Sequence, residues 1–204
     1  MRPPPPPRRP YRMGARAEAA ERTLDRIHEA ATALFRTRPF AEVTLQAVAE
    51  GAGVTLQTVL RRCGSKERLF QEASSRFAAQ VERSRKVAAT DDVAGAVGTL
   101  VASYEAMGDL AWNGLVQEDH QPLIRARYVE ARAMHRRWVE ATFGSVLAGL
   151  RRAERERRVL LLFGTTDFYL WKLYRRDLGL GRRATTARLV DHVEAVLATF
   201  RSAN

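Results

Sequence analysis

The chain has 204 residues, of which 46% are hydrophobic and 28% charged, and its formal net charge is +11. This length and hydrophobic content favour a small domain followed by a larger one. No apolar run approaches the ~20 residues that a membrane-spanning helix requires, and no apolar secretory signal opens the sequence, which predicts a cytoplasmic protein. The lone cysteine, Cys63, excludes an intrachain disulfide. The net charge is +6 over residues 1–70 (13 basic minus 7 acidic) and +5 over the remainder (21 minus 16), so the smaller part is more densely basic, which favours a polyanionic partner but also fits an arginine-rich composition without one.

Residues 1–16 are rich in proline and arginine and contain no acidic residue. Their run of five prolines favours an extended polyproline II conformation, so we predict a disordered basic arm. Its arginines could follow DNA phosphates or enter a minor groove, as basic arms before helical DNA readers do. The alternative is a leader without a role.

A first amphipathic helix is predicted from residue 17 to Phe35, and Pro39 ends it. His28 adjoins the apolar face of this helix, a place more typical of a core-edge residue than of a ligand or base, and we assign it no role. With the two helices that follow, this helix is expected to form a domain over residues 17–65. The apolar face consists of Leu24, Ile27, Ala31, Leu34 and Phe35.

Two short helices with a tight turn between them are predicted after this first helix. Thr44 and Thr55 each precede a helical run, where a hydroxyl can accept from the free N–H groups of the first turn. Gly53 lies where the chain reverses, since glycine takes a positive φ at least cost. Capped helices on either side of a glycine turn are typical of a helix-turn-helix.

The second of these helices offers side chains suited to a major groove. Gln57 and Arg61 are four residues apart and so share one face, while Val54 and Val59 are expected to face the core. Arginine can bind guanine bidentately and glutamine can bind adenine in the same way. The pattern therefore favours DNA binding, and the alternative is an ordinary helical corner with a solvated arginine pair.

A known pattern runs through Gly53, Val54, Thr55, Thr58, Arg61, Gly64, Ser65, Lys66, Glu67, Leu69 and Phe70. It resembles the DNA-binding domain of TetR-type transcriptional regulators, and the resemblance covers about residues 17–70. The chain departs from the usual pattern at Leu60, where tyrosine is usual, at Gln57, where a small residue or proline is common, and at Cys63, where a large apolar residue is. Since an expected hydroxyl contact is missing, we expect an altered operator preference and not a loss of binding.

The resemblance also implies roles and partners. It implies a homodimer bound to a double-stranded DNA operator, and most often a repressor that responds to a small-molecule effector of unknown identity. The direction of regulation rests on the resemblance alone. The residues implied to read bases are Gln46, Leu56, Gln57, Leu60 and Arg61, and those implied to lie near phosphates are Thr44, Thr58, Arg62 and Lys66.

Residues 66–204 are predicted to form a larger helical domain for ligand binding and dimerisation. With the first domain this gives an all-α fold of about nine helices and no strand. The predicted elements are a linker helix from residue 66 to about Val87, a helix from Asp91 and Asp92 to about Met107 that ends at Gly108 and Asp109, a short segment at Leu110–Leu115, a long helix from Pro122 to about Leu147, a charged loop and helix start at 151–158, one helix from Val159 to Leu178, and a last helix capped by Thr185 or Thr186.

The apolar surplus of the larger domain has two possible uses. The last two helices could pair with those of a second copy in an isologous four-helix contact, a use that the resemblance supports. The aromatic residues could line a cavity for an apolar or amphipathic ligand, or they could be solid core. The candidate ligand-binding residues are Tyr104, Met107, Trp112, Trp138, Phe143, Phe163 and Trp171.

Signals of enzymatic chemistry are nearly absent from the sequence. It contains no Gly-rich phosphate loop, no Cys/His cluster, no H-E-x-x-H and no nucleophile elbow. His120 follows Glu118 and Asp119, which is more typical of a solvated turn than of a metal site. We therefore predict no catalytic residue, metal or cofactor, and a ligand-responsive DNA-binding regulator. An all-α enzyme and a helical protein-binding adaptor are the alternatives.

Overall fold

A computed structural model describes residues 11–85 and 92–202 of the chain. Over these residues the regular structure is helical throughout, with nine α-helices of five residues or more, which confirms the predicted all-α fold. None of the described helices combines the length and apolarity that crossing a membrane requires. The helices are α1 (Tyr11–Thr37), α2 (Leu45–Ala52), α3 (Leu56–Cys63), α4 (Lys66–Ser84), α5 (Val93–Leu115), α6 (Pro122–Thr142), the single turn α7 (Gly144–Leu147), α8 (Arg152–Thr165), α9 (Phe168–Lys172) and α10 (Arg182–Ser202).

The chain divides into two compact units, Met1–Ser74 and Ser75–Asn204, with the division inside α4. The first ten residues of the predicted basic arm lie outside the described residues. The backbone of α1 begins at Tyr11, before the expected start at residue 17. The predicted end of the linker helix near Val87 also lies outside them, and α4 as described ends at Ser84.

The first unit is built on three packed helices. α1 packs against α2, and α2 packs against α3. Their shared core is fully buried and aliphatic, and the rings of Phe35, Phe40 and Phe70 close it with centroids 5.1 to 5.8 Å apart. These contacts remove apolar surface from water, which is the main favourable term in folding. The most deeply buried members of this core are Ile27, Ala31, Val43, Val48, Val59 and Leu69.

The predicted caps of α2 and α3 are confirmed. Thr44 Oγ1 accepts from the backbone N–H of Ala47 at 3.1 Å, and Thr55 Oγ1 accepts from that of Thr58 at 3.2 Å. Gly53 ends α2 with φ 62° and ψ 42°, in the left-handed region, and its N–H donates to Glu50 O. The helix pair is therefore oriented by local signals that sequence analysis can recognise.

We expect Gly53→Ala to lower the free energy of unfolding of the protein by about 1–2 kcal/mol, because alanine in the left-handed conformation brings Cβ too close to the next carbonyl. Urea denaturation followed by circular dichroism measures the change. Gly98→Ala is the matched control, since a Cβ at this helical position of α5 would meet nothing within 4 Å. An unchanged stability of Gly53→Ala would contradict the expectation.

The second unit is built around a core in which α10 packs against α5 and α8, and α6 packs against α5 and α8. Aromatic and aliphatic side chains fill the space between these helices, as expected for helices that each bury one apolar stripe against their neighbours. The core extends from the start of α5 to the end of α10. Its largest fully buried side chains are Trp171, Phe200, Leu100, Leu162 and Leu189.

Two predicted helix ends in this unit are wrong. α5 continues through Gly108 and Asp109 to Leu115. Gly108 is needed for packing and not for a turn, because a Cβ there would lie 2.5 Å from Cη2 of Trp171. The long helix predicted from Pro122 ends at Thr142, and α7 follows as a separate turn.

The apolar helix predicted from Val159 to Leu178 is also wrong, because the structure has two helices there. α8 ends at Thr165, and Asp167 caps α9 by accepting from the N–H of Tyr169 at 2.9 Å. A π-helical turn, Leu173–Asp177, continues α9. α10 then begins at Arg182, so Thr185 lies inside the helix and is buried there instead of capping it.

Candidate nucleic-acid interface

The candidate reading surface is one face of α3. Gln57, Leu60 and Arg61 are exposed, whereas Val59 and Cys63 on the opposite face are completely buried. This division follows from helical spacing, since positions three and four apart share a face. An α-helix with its side chains is about 10–12 Å across and the major groove is about 12 Å wide, so α3 can enter the groove with its exposed face towards the bases.

The exposed face carries the chemistry that base readout needs. Arg61 and Arg62 form no ion pair within the described residues, which leaves both guanidinium groups able to donate to DNA. Leu60 is 40% exposed and presents an aliphatic tip that can meet a thymine methyl group. Leu56 is half-buried, so it is less accessible than the other predicted base readers of this helix.

Gln46 lies on α2, where it is exposed. Its side-chain Nε2 donates to Glu50 Oε1 at 2.8 Å, one turn further along the helix. Binding a base through this amide group would therefore require exchanging the contact with Glu50. The structure thus gives Gln46 a partner that the sequence pattern did not indicate.

The predicted phosphate-binding threonines differ in accessibility. Thr44 is exposed, and although its oxygen caps α2, its hydroxyl hydrogen can still be donated. Thr58 is half-buried, and its hydroxyl pairs with that of Thr55 at 2.9 Å. Thr44 is consequently the better placed of the two for a phosphate oxygen.

Lys66 has a structural contact that sequence analysis missed. Its Nζ donates to the carbonyl oxygens of Phe40 at 3.0 Å and Ala41 at 3.3 Å, and it lies 4.6 Å from the centre of the Phe40 ring. These carbonyls belong to the 3₁₀ turn Phe40–Glu42, which precedes α2. The ammonium group therefore ties the start of α4 to this turn, and only its remaining hydrogen can be offered to a phosphate.

Three possible metal ligands meet inside the first unit, although they are far apart in the sequence. The ligand atoms of His28, Cys63 and Glu72 all lie within 4.8 Å of one another. Burial, followed by the charge of Glu72, raises the pKa of the Cys63 thiol, and Glu72 already binds His28 at 3.3 Å and Arg68 at 2.8 Å. In this arrangement the residues form a hydrogen-bonded core around a protonated thiol.

The predicted ligand-binding residues do not line a single pocket. A half-open pocket of about 80 Å³ in the second unit, called the inner cavity below, includes Tyr104 and Met107 in its lining. Trp112 and Trp171 line a separate half-open pocket of about 300 Å³. The remaining candidates lie outside both linings: Trp138 and Phe143 are buried in the core, and Phe163 packs against His135 with ring centroids 4.8 Å apart.

The inner cavity is lined by polar residues that sequence analysis did not select. Arg85, which directly follows α4, and His135 of α6 are both buried, and Tyr128, Arg132 and Asp167 lie in the same lining. His135 lies on the buried face of α6. For Arg85 the sequence held no signal, since it is one arginine among many near the predicted end of a linker helix.

Taken together, a capped helix pair, a left-handed glycine between the helices and an exposed face with free arginine define a helix-turn-helix DNA-binding protein. Residues 27–73 match the family described as bacterial regulatory proteins, tetR family. Residues 27–73 therefore carry the DNA-binding domain of the tetR family, and the described chain has the fold of solved TetR-family regulators.

Solved structures show the same fold over most of the chain. A TetR-family transcriptional regulator from Streptomyces coelicolor is 14% identical, with a TM-score of 0.71 over 90% of this chain and 84% of that one. A transcriptional regulator from Rhodococcus sp. Rha1 is 18% identical, with a TM-score of 0.64 over 88% and 96% of the two chains. None of the curated proteins compared with the chain matches it.

Proposed function

We propose that the protein is a cytoplasmic, ligand-responsive repressor that binds a palindromic or near-palindromic operator as a homodimer and is released by a small apolar or amphipathic effector. The observation that carries this proposal is the exposed face of α3, where Gln57, Leu60 and Arg61 stand beside a fully buried core face. In this proposal residues 17–65 bind DNA, and residues 66–204 carry the linker helix, the effector and the contact with the second copy.

The DNA contacts are proposed to divide between bases and phosphates. Gln57, Leu60 and Arg61 would read base edges from α3, and Arg62 and Thr44 would hold phosphates at the flanks. Arg62 is exposed, and Thr44 has a free hydroxyl hydrogen at the start of α2. Helix N-termini and arginines are the usual phosphate partners in protein–DNA complexes. Gln46, Leu56, Thr58 and Lys66 stay in the proposal as secondary contacts.

The dimer contact is proposed to involve α8 and α10, which pack against each other. α8 exposes Leu160 by 56% and Leu161 by 39%, large apolar side chains that a monomer would leave in water. α10 exposes the small side chains of Ala184, Ala195 and Ala198 at helical spacing, so a second helix could approach closely. An isologous contact through these two helices would pair each with its equivalent in the partner.

Selection of bound sequences from a randomised DNA duplex library tests the proposed DNA binding directly. The full chain should enrich sequences with two-fold symmetry, because matched reading helices need matched half-sites, and its affinity should fall steeply with salt. Substituting Gln57 and Arg61 together should remove the enrichment. Enrichment without two-fold symmetry would overturn the dimeric operator. If no sequence is enriched, and an enzymatic or protein-binding activity of the chain survives the double substitution, the enzyme or the adaptor would be favoured.

Effector binding and DNA binding must be coupled reciprocally if the proposal is correct. An effector that weakens DNA binding tenfold must bind the DNA-bound protein tenfold more weakly than the free protein. The emission of Trp138 reports binding, because this ring stacks on His135 of the inner cavity with centroids 5.6 Å apart. Trp112 is 40% exposed, so Trp112→Phe removes a background signal. Equal effector affinities with and without operator DNA would contradict the proposed release.

A further inference from the structure

The inner cavity contains a buried positive charge. Arg85 is 4% exposed, and its Nε donates to the Ser103 hydroxyl at 2.8 Å. Its Nη2 lies 3.4 Å from the Met107 sulfur, and its guanidinium stacks over the Tyr104 ring at 4.8 Å. Each of these partners is neutral. The side chain is thus held in place at the cavity without compensation of its charge.

No carboxylate of the described chain pairs with Arg85. The other arginine of the lining, Arg132, is already neutralised by Glu118, whose two oxygens accept at 2.7 and 2.6 Å. Asp167 also lines the cavity, but its side chain caps α9 through Tyr169, and burial raises its pKa. A guanidinium remains protonated even where burial lowers its pKa, so among residues 11–85 and 92–202 Arg85 is a buried cation without a counter-ion.

A second polar group of the lining has an open hydrogen-bonding position. His135 is 5% exposed, and its Nε2 lies 3.1 Å from Thr166 Oγ1, which itself donates to Leu162 O at 2.6 Å. Nε2 therefore carries the hydrogen, and Nδ1 is a buried acceptor without a partner in the described chain. Burial, followed by the charge of Arg85, lowers the pKa of His135 to about 3, so the ring is neutral near pH 7.

We infer that the inner cavity binds the carboxylate of a small aliphatic acid, with Arg85 as its ion-pair partner. This inference rests on the proposed ligand-responsive function and names the chemical class of the effector. An unpaired buried cation is costly, and the planar guanidinium matches a carboxylate bidentately. Ala111, Leu115, Ala131 and Met134 supply apolar lining for the acid's chain.

The size of the cavity sets the length of the acid. A volume of about 80 Å³ is well below the roughly 300 Å³ of a drug-sized site, so it fits a carboxylate and a few methylene groups. Longer chains require movement of Met107 and Met134, whose unbranched side chains adapt readily. A hydroxyl on the chain could donate to His135 Nδ1, so hydroxy acids belong to the same class.

Titrations of the full chain, followed by tryptophan emission and by the thermal unfolding midpoint, test the inference. The probes are butyrate and hexanoate, the matched alcohols 1-butanol and 1-hexanol, and inorganic phosphate. Each acid should bind at least about tenfold more tightly than its alcohol, because only the acid pairs with the buried cation. Equal affinity of acid and alcohol, or a stronger response to phosphate than to either acid, would overturn the assignment.

Arg85→Met keeps the length and apolar bulk of the side chain and removes its charge. This variant should lose the preference for acids over alcohols, while Arg85→Lys should keep part of it. Arg137→Met is the matched control, since Arg137 is 64% exposed and pairs with Glu82 at the surface. If Arg85→Met does not fold by circular dichroism, the comparison of Arg85→Lys with Arg85→Gln decides, and an undiminished acid preference in Arg85→Gln overturns the inference.

DNA affinity measured in parallel separates this inference from the proposed function. Acids that bind through Arg85 and leave DNA affinity unchanged support the inference and overturn the proposed effector response. A neutral compound that releases DNA from a protein that does not bind the acids supports the effector response and overturns the inference. The two conclusions can therefore fail independently.

Discussion

Replacing Leu160 by glutamate is expected to convert the protein to a monomer and to lower its affinity for a two-fold symmetric operator by at least about a hundredfold, the loss that follows when two linked binding modules are separated. Leu160 is 56% exposed on α8, so a glutamate there fits the folded protomer. In the proposed dimer the same carboxylate would be buried at an apolar contact without a partner, which is strongly unfavourable.

Light scattering measures the mass of the variant in solution, and a fluorescence anisotropy titration measures its DNA affinity. Val129→Glu is the matched control, because Val129 is 60% exposed and lies on α6, away from the proposed contact. This control should remain a dimer with unchanged affinity. A dimeric Leu160→Glu variant that binds the operator normally would show that α8 does not form the contact.

Sequence analysis placed the two short helices α2 and α3 well because their signals are local. Thr44 and Thr55 cap helices that begin one residue later, and Gly53 takes the left-handed conformation that its position predicted. Each signal depends on hydrogen bonds or sterics within a few residues, so it can be recognised without knowledge of the tertiary contacts. The fold of the first unit follows from these caps and from the apolar spacing of α1.

The predictions that failed depended on tertiary contacts. Gly108 looked like a helix break, but it lies in the middle of α5 because the Trp171 ring needs the space. Asp167 was read as part of one long apolar helix, although its carboxylate caps α9. In both places one sequence signal fitted two structures, and packing between segments far apart in the chain decided between them.

The contacts within the candidate sites that sequence analysis missed share the same cause. Lys66 and Phe40 are 26 residues apart, and His28 and Glu72 are 44 apart, so no spacing pattern connects them. Arg85 is one of many arginines, and it is distinguished by its burial without a carboxylate partner among the residues that the structure describes. Such features require coordinates, because they are defined by the atoms around a side chain.

The roles of the individual arginines of α3 can be separated by their effect on specificity. Arg61→Ala should weaken operator binding by about 1–3 kcal/mol and relax the preference at one base pair of each half-site, because a bidentate contact with a base edge is lost. Arg61 is exposed on the face that also presents Gln57 and Leu60. Affinities for a set of half-sites substituted at each position, measured at two salt concentrations, show both effects.

Arg62→Ala is the comparison variant, since Arg62 is also exposed but lies beside the face of α3 that carries Arg61. As a phosphate contact, it should weaken binding to all sequences alike and reduce the salt dependence by roughly one unit of slope. Lys66→Ala is less suitable as a test of a phosphate contact, because it also removes the contacts to Phe40 and Ala41 and should therefore lower stability. If Arg61→Ala left the base preference unchanged at every position, the face of α3 that carries Gln57, Leu60 and Arg61 would not be the one that enters the groove.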